Sequence, residues 1–191
     1  MYPTIAHLPV HSPRRRIFVS YHHAWDQVYY NEFANACGAD WEAVHDRSLR
    51  NAVDSDDLQY VYRRVREVNL TGTSCTIVLC GPNTRWRKFV DWEIKATLDK
   101  KHSLIGVKLP TNPVDEFGRC HKPDRLQDNI NSGYALWIHW EQLYHGPCFL
   151  RQLIERGSAK PKSLIDNRRP LRKRNGSQLP NPFASLAAWT Q

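Results

Sequence analysis

The chain has 191 residues, enough for one domain with extensions, and 41 % of them are hydrophobic, which suffices for a packed core. Its 27 Lys and Arg against 19 Asp and Glu give a formal charge of +8, but much of the excess lies at Arg14 to Arg16 and between Lys160 and Arg174, so the charge does not mark the domain itself as a nucleic-acid binder. Five cysteines at Cys37, Cys75, Cys80, Cys120 and Cys148, with no CxxC pair, exclude a disulfide scaffold and fit a reducing compartment.

Met1 to Pro13 carries Pro3, Pro9 and Pro13 and no apolar signal-peptide core, and no apolar run reaches the length of about 18 residues that a membrane span needs. A cytoplasmic protein without a membrane partner is expected. Residues 1–13 read as a flexible arm, 14–156 as an α/β domain and 157–191 as a basic C-terminal tail. Arg16 to Tyr21 reads as a first, central parallel strand, because its apolar residues are continuous. His22 to Asp26 reads as the following loop, with Asp26 as N-cap of a helix whose stripe is Tyr29, Tyr30, Phe33, Ala34 and Cys37 and which Gly38 ends.

Trp41 to His45 is a short second strand, Asp46 to Asp56 a polar loop, and Asp57 to Asn69 an amphipathic helix with Leu58, Val61, Tyr62, Val65 and Val68 on one side. Cys75 to Cys80 and Ser103 to Leu109 are strands flanking a helix from Trp86 to Lys100, with Gly81-Pro82-Asn83 as the breaker between strand and helix. Pro110 to Gly133 reads as a long polar loop, Ala135 to Trp140 as the last strand and Pro147 to Arg156 as the last helix. The basic stretch after Gly157 reads as disordered by itself. The order of elements predicts a flavodoxin-like, doubly wound, mainly parallel sheet, whose site lies outside the carboxyl ends of the strands.

The residues at those ends are Ser20 to His23, Asp46 to Ser48 and Cys80 to Trp86. Glu93 follows them, on the helix face that also carries Trp86, Phe89, Val90, Ile94 and Thr97 when residues are spaced roughly 100° apart. A carboxylate in an apolar stripe needs either a salt bridge or solvent, or else a function. Tyr21, His22, Trp86 and Phe89 offer rings able to stack on a base, although aromatics at such positions also serve as core. Asp46 and Ser48 are placed to reach a ribose or to form a turn. Cys120-His121 with His102, His139 and His145 has no metal-ligand spacing, so no metal is expected. The chain has neither GxGxxG nor GxxxxGK[ST], so a dinucleotide would not be held by a glycine loop.

Phe18-Val-Ser-Tyr21 followed by Asp26 resembles the first box of TIR domains, and Phe89-Val90-x-x-Glu93-Ile94 resembles the box that holds their catalytic glutamate. The run TGTSCTIVLCGPNTRWRKFVDWEI is similar to the bacterial TIR-like family that includes the signalling component of Thoeris anti-phage systems, and the likeness covers roughly Arg14 to Trp140. It departs where Lys88-Phe89 stand in place of Ser-Trp and where His22-His23 replace an Arg-rich pair. The resemblance implies a flavodoxin-like TIR fold and an enzyme that cleaves NAD, as substrate and not cofactor, at the nicotinamide–ribose bond. It implies Glu93 as the catalytic acid and Ser20, Tyr21, His22, Asp46, Ser48, Trp86 and Phe89 as substrate contacts. It further implies an ADP-ribose-derived, cyclic signal, a downstream effector that senses it, and homo-oligomerisation on activation. Nucleic acid is not an expected partner. The alternative is a TIR-like module that binds other proteins without turnover, with Glu93 a structural acid.

Overall fold

Strand β3 (Thr73–Cys80) is buried at every position but Ser74, the pattern of a strand covered on both faces. The computed structural model describes residues 15–36, 41–44, 67 and 70–176. Within it β3 pairs in parallel with β1 (Arg15–Ser20) and β4 (Ser103–Lys108); β2 (Trp41–Val44) joins β1 and β5 (Leu136–His139) joins β4, also in parallel. The order β2-β1-β3-β4-β5 is that of a flavodoxin-like doubly wound sheet. The expected loop Asp46 to Asp56, the helix Asp57 to Asn69 apart from Glu67, the arm 1–13 and the tail beyond Gly176 lie outside the described residues.

Alternation along the strands divides the core in two. Ile17, Val19, Tyr21, Ile77, Leu79, Ile105 and Val107 meet helices α1 (His23–Ala36) and α4 (Pro147–Ser158) through Tyr30, Phe33, Leu150, Leu153 and Ile154. Val78, Cys80 and Leu104 on the other face meet α2 (Lys88–Asp99) and α3 (Asp124–Asn131) through Val90, Ile94, Leu98 and Leu126, while Phe18 packs with Ala96 and Leu70. Gly106 permits this layer to close, since a Cβ there would lie 2.6 Å from the Trp137 ring and 2.8 Å from Leu126.

Four sequence expectations need correction. Helix α1 begins at His23, and Asp26 lies inside its first turn, its N–H donating to the His22 carbonyl at 2.8 Å, so it is not the N-cap. The helix expected from Trp86 is a 3-10 turn at Thr84–Trp86, then Arg87 in extended backbone, then α2. The expected loop Pro110 to Gly133 contains α3, which periodicity misses because Leu126 and Ile130 are its only large apolar residues and two of its buried side chains, Arg125 and Asn129, are polar.

The fourth correction concerns the basic tail. Residues 159–176 run as a strap over α2 and α3. Arg125 is fully buried and places every guanidinium nitrogen on an acceptor: Nε and Nη2 donate to Asp91, Nη1 to Asn167 and the Arg169 carbonyl, and Nη2 also to the Pro170 carbonyl. Asp91 accepts in addition from the Arg172 N–H at 2.9 Å, and the Trp92 indole donates to the Arg172 carbonyl at 2.8 Å. At the strap's end the Asn175 side chain accepts from the Lys88 N–H at 2.9 Å, and the Gly176 N–H donates to the Trp86 carbonyl at 2.9 Å. The Asn175 contact satisfies one of the donors that the start of a helix leaves open. Asp91, which the helical wheel puts on an outer face, is buried for this reason.

Candidate active site

On β1 Phe18 and Ser20 point toward α2, and Ile17 and Val19, with Tyr21 just beyond the strand, toward α1 and α4. Ser20, at the carboxyl end of β1, is buried and donates its hydroxyl hydrogen bond to Glu93 Oε2 at 2.5 Å. Glu93 is itself only 8 % exposed. Its helix is held in register by a polar stitch: the Thr97 hydroxyl donates to the Glu93 carbonyl at 2.7 Å and lies 2.7 Å from the Thr76 hydroxyl of β3. The sheet and the helix thus fix the carboxylate from both sides.

His22, two residues beyond Ser20, is buried. Burial, then the positive charge of Arg87, then that of His23, lower its pKa from 6.5 to about 4, so the imidazole is neutral near pH 7. Arg87 acts on His22 from extended backbone, at φ −89° and ψ 120°, just ahead of α2. Sequence reasoning missed it by counting it as part of the helix; the Gly81-Pro82-Asn83 breaker was the available sign that the helix starts late.

A second buried acid underlies the site. Asp26 accepts from the Thr84 hydroxyl at 3.1 Å, and that hydroxyl oxygen accepts from the Gly81 N–H at 2.9 Å. A Cβ at Gly81 would stand 2.2 Å from Asp26 Oδ1, so only glycine lets α1 come this close to the turn after β3. Burial raises the Asp26 pKa from 3.8 to about 7, and the hydrogen bonds from Thr84 and the His22 backbone offset this only in part.

Of the expected contacts, then, Ser20 meets Glu93, and His22 is buried two residues beyond Ser20. Tyr21 turns to the opposite face, where it stacks on Tyr30 at 4.9 Å and donates to Gln27 at 2.9 Å. Trp86 is half-buried on the turn before α2, between the Arg85 guanidinium, 4.6 Å from its ring centre, and Gly176 of the strap. Phe89 is half-buried and meets Trp92 edge-on at 5.4 Å, and Trp92 in turn bonds the strap. Asp46 and Ser48 lie outside the described residues. Among the described residues no group of three His, Cys, Asp or Glu is placed to hold a metal ion, and no helix is long and apolar enough to cross a membrane.

Residues 18–113 match the family described as Thoeris protein ThsB, TIR-like domain. No curated protein sequence matches the chain. Among solved structures, the TIR domains of the activated Roq1 resistosome directly recognizing the pathogen effector XopQ share 13 % identity at a TM-score of 0.36, over 50 % of this chain and 58 % of that one. With so distant a neighbour, the fold rests on the strand order itself. The family match runs from Phe18 in β1 to Pro113 beyond β4 and encloses Ser20, His22, Arg87 and Glu93, and the chain belongs to the TIR-like domain family of Thoeris protein ThsB.

Proposed function

We propose that this domain is an anti-phage enzyme that cleaves NAD at the nicotinamide–ribose bond and releases an ADP-ribose-derived, cyclised product that activates a partner effector. The observation that carries the reading is the buried Glu93 carboxylate, aligned by Ser20 at 2.5 Å at the carboxyl edge of a doubly wound sheet, where such folds bind ligands.

The chemistry suits one carboxylate. Nicotinamide leaves a cationic nucleotide as a neutral ring and needs no general acid, and the ribose passes through an oxocarbenium-like state. Each carboxylate oxygen has more than one lone-pair site, so Glu93 can hold the Ser20 hydroxyl and a ribose hydroxyl together. Its charge stabilises the positive charge that develops at the anomeric carbon, a contact stronger in the transition state than in the bound substrate. His22, two residues beyond Ser20, is neutral near pH 7 and adds no competing charge. With water kept out, a hydroxyl of the same ADP-ribose attacks the carbon that nicotinamide has left and passes its proton to the Glu93 carboxylate, which closes a ring.

Glu93→Gln keeps the volume and removes the charge. NAD turnover, read by nucleotide mass spectrometry of purified protein and of phage-challenged cells, is expected to fall by roughly two to three orders of magnitude or more. The thermal midpoint is expected to stay level or rise, as when a functional acid is removed from an apolar face. Turnover retained in Glu93→Gln would instead favour a non-catalytic binding module.

A further inference from the structure

One strand over from Glu93, on the same carboxyl edge of the sheet, the segments after β3 and β4 enclose a groove of about 570 Å³. Arg85, Arg119, His121 and Lys122 line it, and Asp115 is its single acid. None of these residues belongs to the Ser20–Glu93 cluster, and the volume lies within the range of roughly 300–1,000 Å³ typical of small-molecule pockets.

The cationic groups are held in place. The Arg85 guanidinium lies on the Trp86 ring, is 3.6 Å from an Asp124 oxygen, and puts Nη1 at 3.0 Å from His121 Nδ1. A guanidinium can only donate, so His121 Nδ1 accepts and its ring proton sits on Nε2, a second donor at the groove. Asn112 donates to the His121 carbonyl at 2.8 Å and to the Cys80 carbonyl at 2.9 Å, which ties this loop to the end of β3. Asp115 closes the loop by accepting from the Phe117 and Arg119 N–H groups and from Arg119 Nε at 2.9 Å. Arg85 Nε is buried with no acceptor among the described residues, so the groove is left to the outer nitrogens of the guanidinium.

We propose that this groove is a binding site for the diphosphate of a nucleotide. Two guanidinium groups, an ammonium and an imidazole N–H present donors to several oxygens at once, and guanidinium forks match phosphate oxygens in pairs. Pre-positioned donors lower the ordering cost of binding. The diphosphate has two sources: the dinucleotide whose ribose lies at Glu93, or a second nucleotide. The site itself does not depend on whether Glu93 cleaves NAD, because the probe, ADP, carries no nicotinamide.

The test is calorimetric titration of the full chain with ADP, together with mass-spectrometric mapping of alkylation at Cys120, a thiol in the groove, and at Cys148, an exposed thiol outside it. ADP is expected to bind, to slow alkylation of Cys120 but not of Cys148, and to bind at least tenfold more weakly to Arg119→Gln/Lys122→Gln. Arg119 is exposed and Lys122 half-buried, so this variant should keep its thermal midpoint. Glu93→Gln should bind ADP as the wild type does. Competition between NAD and ADP in Glu93→Gln assigns the groove to the dinucleotide's own diphosphate, and independent binding assigns it to a second nucleotide; both support the site. No binding of ADP, equal affinity in wild type and the double variant, or protection of Cys120 by an acidic peptide but not by ADP overturns the proposal.

Discussion

Asp26 and His22, joined by a backbone hydrogen bond, respond to pH in opposite directions. Asp26 keeps its proton up to about pH 7 in the folded chain but loses it near 3.8 when unfolded, so its contribution to stability is whole below about 3.8 and is lost as pH rises toward 7. His22 takes up its proton near 6.5 when unfolded but only near 4 when folded; its contribution is whole above 6.5 and is lost as pH falls toward 4. Over that shared window the two slopes offset each other. Asp26→Asn should therefore gain stability over wild type as pH rises from 4 to 7, by up to roughly 4 kcal/mol, which urea unfolding at stepped pH will read. His22→Gln should show the reverse, its advantage over wild type shrinking as pH rises from 4 to 6.5. A flat difference curve for either variant would remove that residue from the account. At this scale Glu93 was legible, because an acid among Val90, Ile94 and Thr97 at helical spacing is unusual, and Ser20 and His22 were named for their place at the carboxyl end of the first strand. Tyr21 was named on the same ground and lies on the other face, because an aromatic at a strand end reads alike on either face. Asp26 and Arg87 were hidden because each role depends on where a helix begins, to within a few residues.

Helix α2 is buried against the sheet on one side and the strap on the other, which is why Asp91, Trp92, Glu93 and Ile94 are all buried in succession. The sequence could not announce this arrangement. The strap offers few apolar residues, and its ties are backbone carbonyls and N–H groups that meet Arg125, Asp91 and Trp92. A basic, proline-containing stretch reads as solvated when its acceptors lie on another element. Arg125→Met would strand the Asp91 carboxylate and is expected to cost about 3–5 kcal/mol in unfolding free energy, as when one partner of a buried ion pair is lost. Removal of residues 162–191 takes away the same acceptors and should leave an unstable or insoluble chain, whereas a chain ending at Gly176 should unfold near the wild-type midpoint. Circular dichroism melting of the two truncations distinguishes them, and equal melting would reduce the strap to a passive cover.

For the molecule as a whole, the sheet was the most legible part, since continuous apolar runs at Ile17–Val19, Cys75–Cys80 and Leu104–Val107 admit only strands buried on both faces. Their order puts Ser20, the partner of Glu93, and the cationic groove on one edge of the sheet. The strap joins this edge through Asn175 and Gly176, which grip the first residues of the segment leading to Glu93. That grip makes the carboxyl terminus a handle: a tug on the residues beyond Gly176, from a bulky fusion, a surface tether or a bound protein, is carried straight into the helix that bears the reactive acid. Preparations tagged or immobilised at the carboxyl end should therefore differ in NAD turnover from the same protein held at its amino end, a comparison that needs only two expression plasmids and one nucleotide assay.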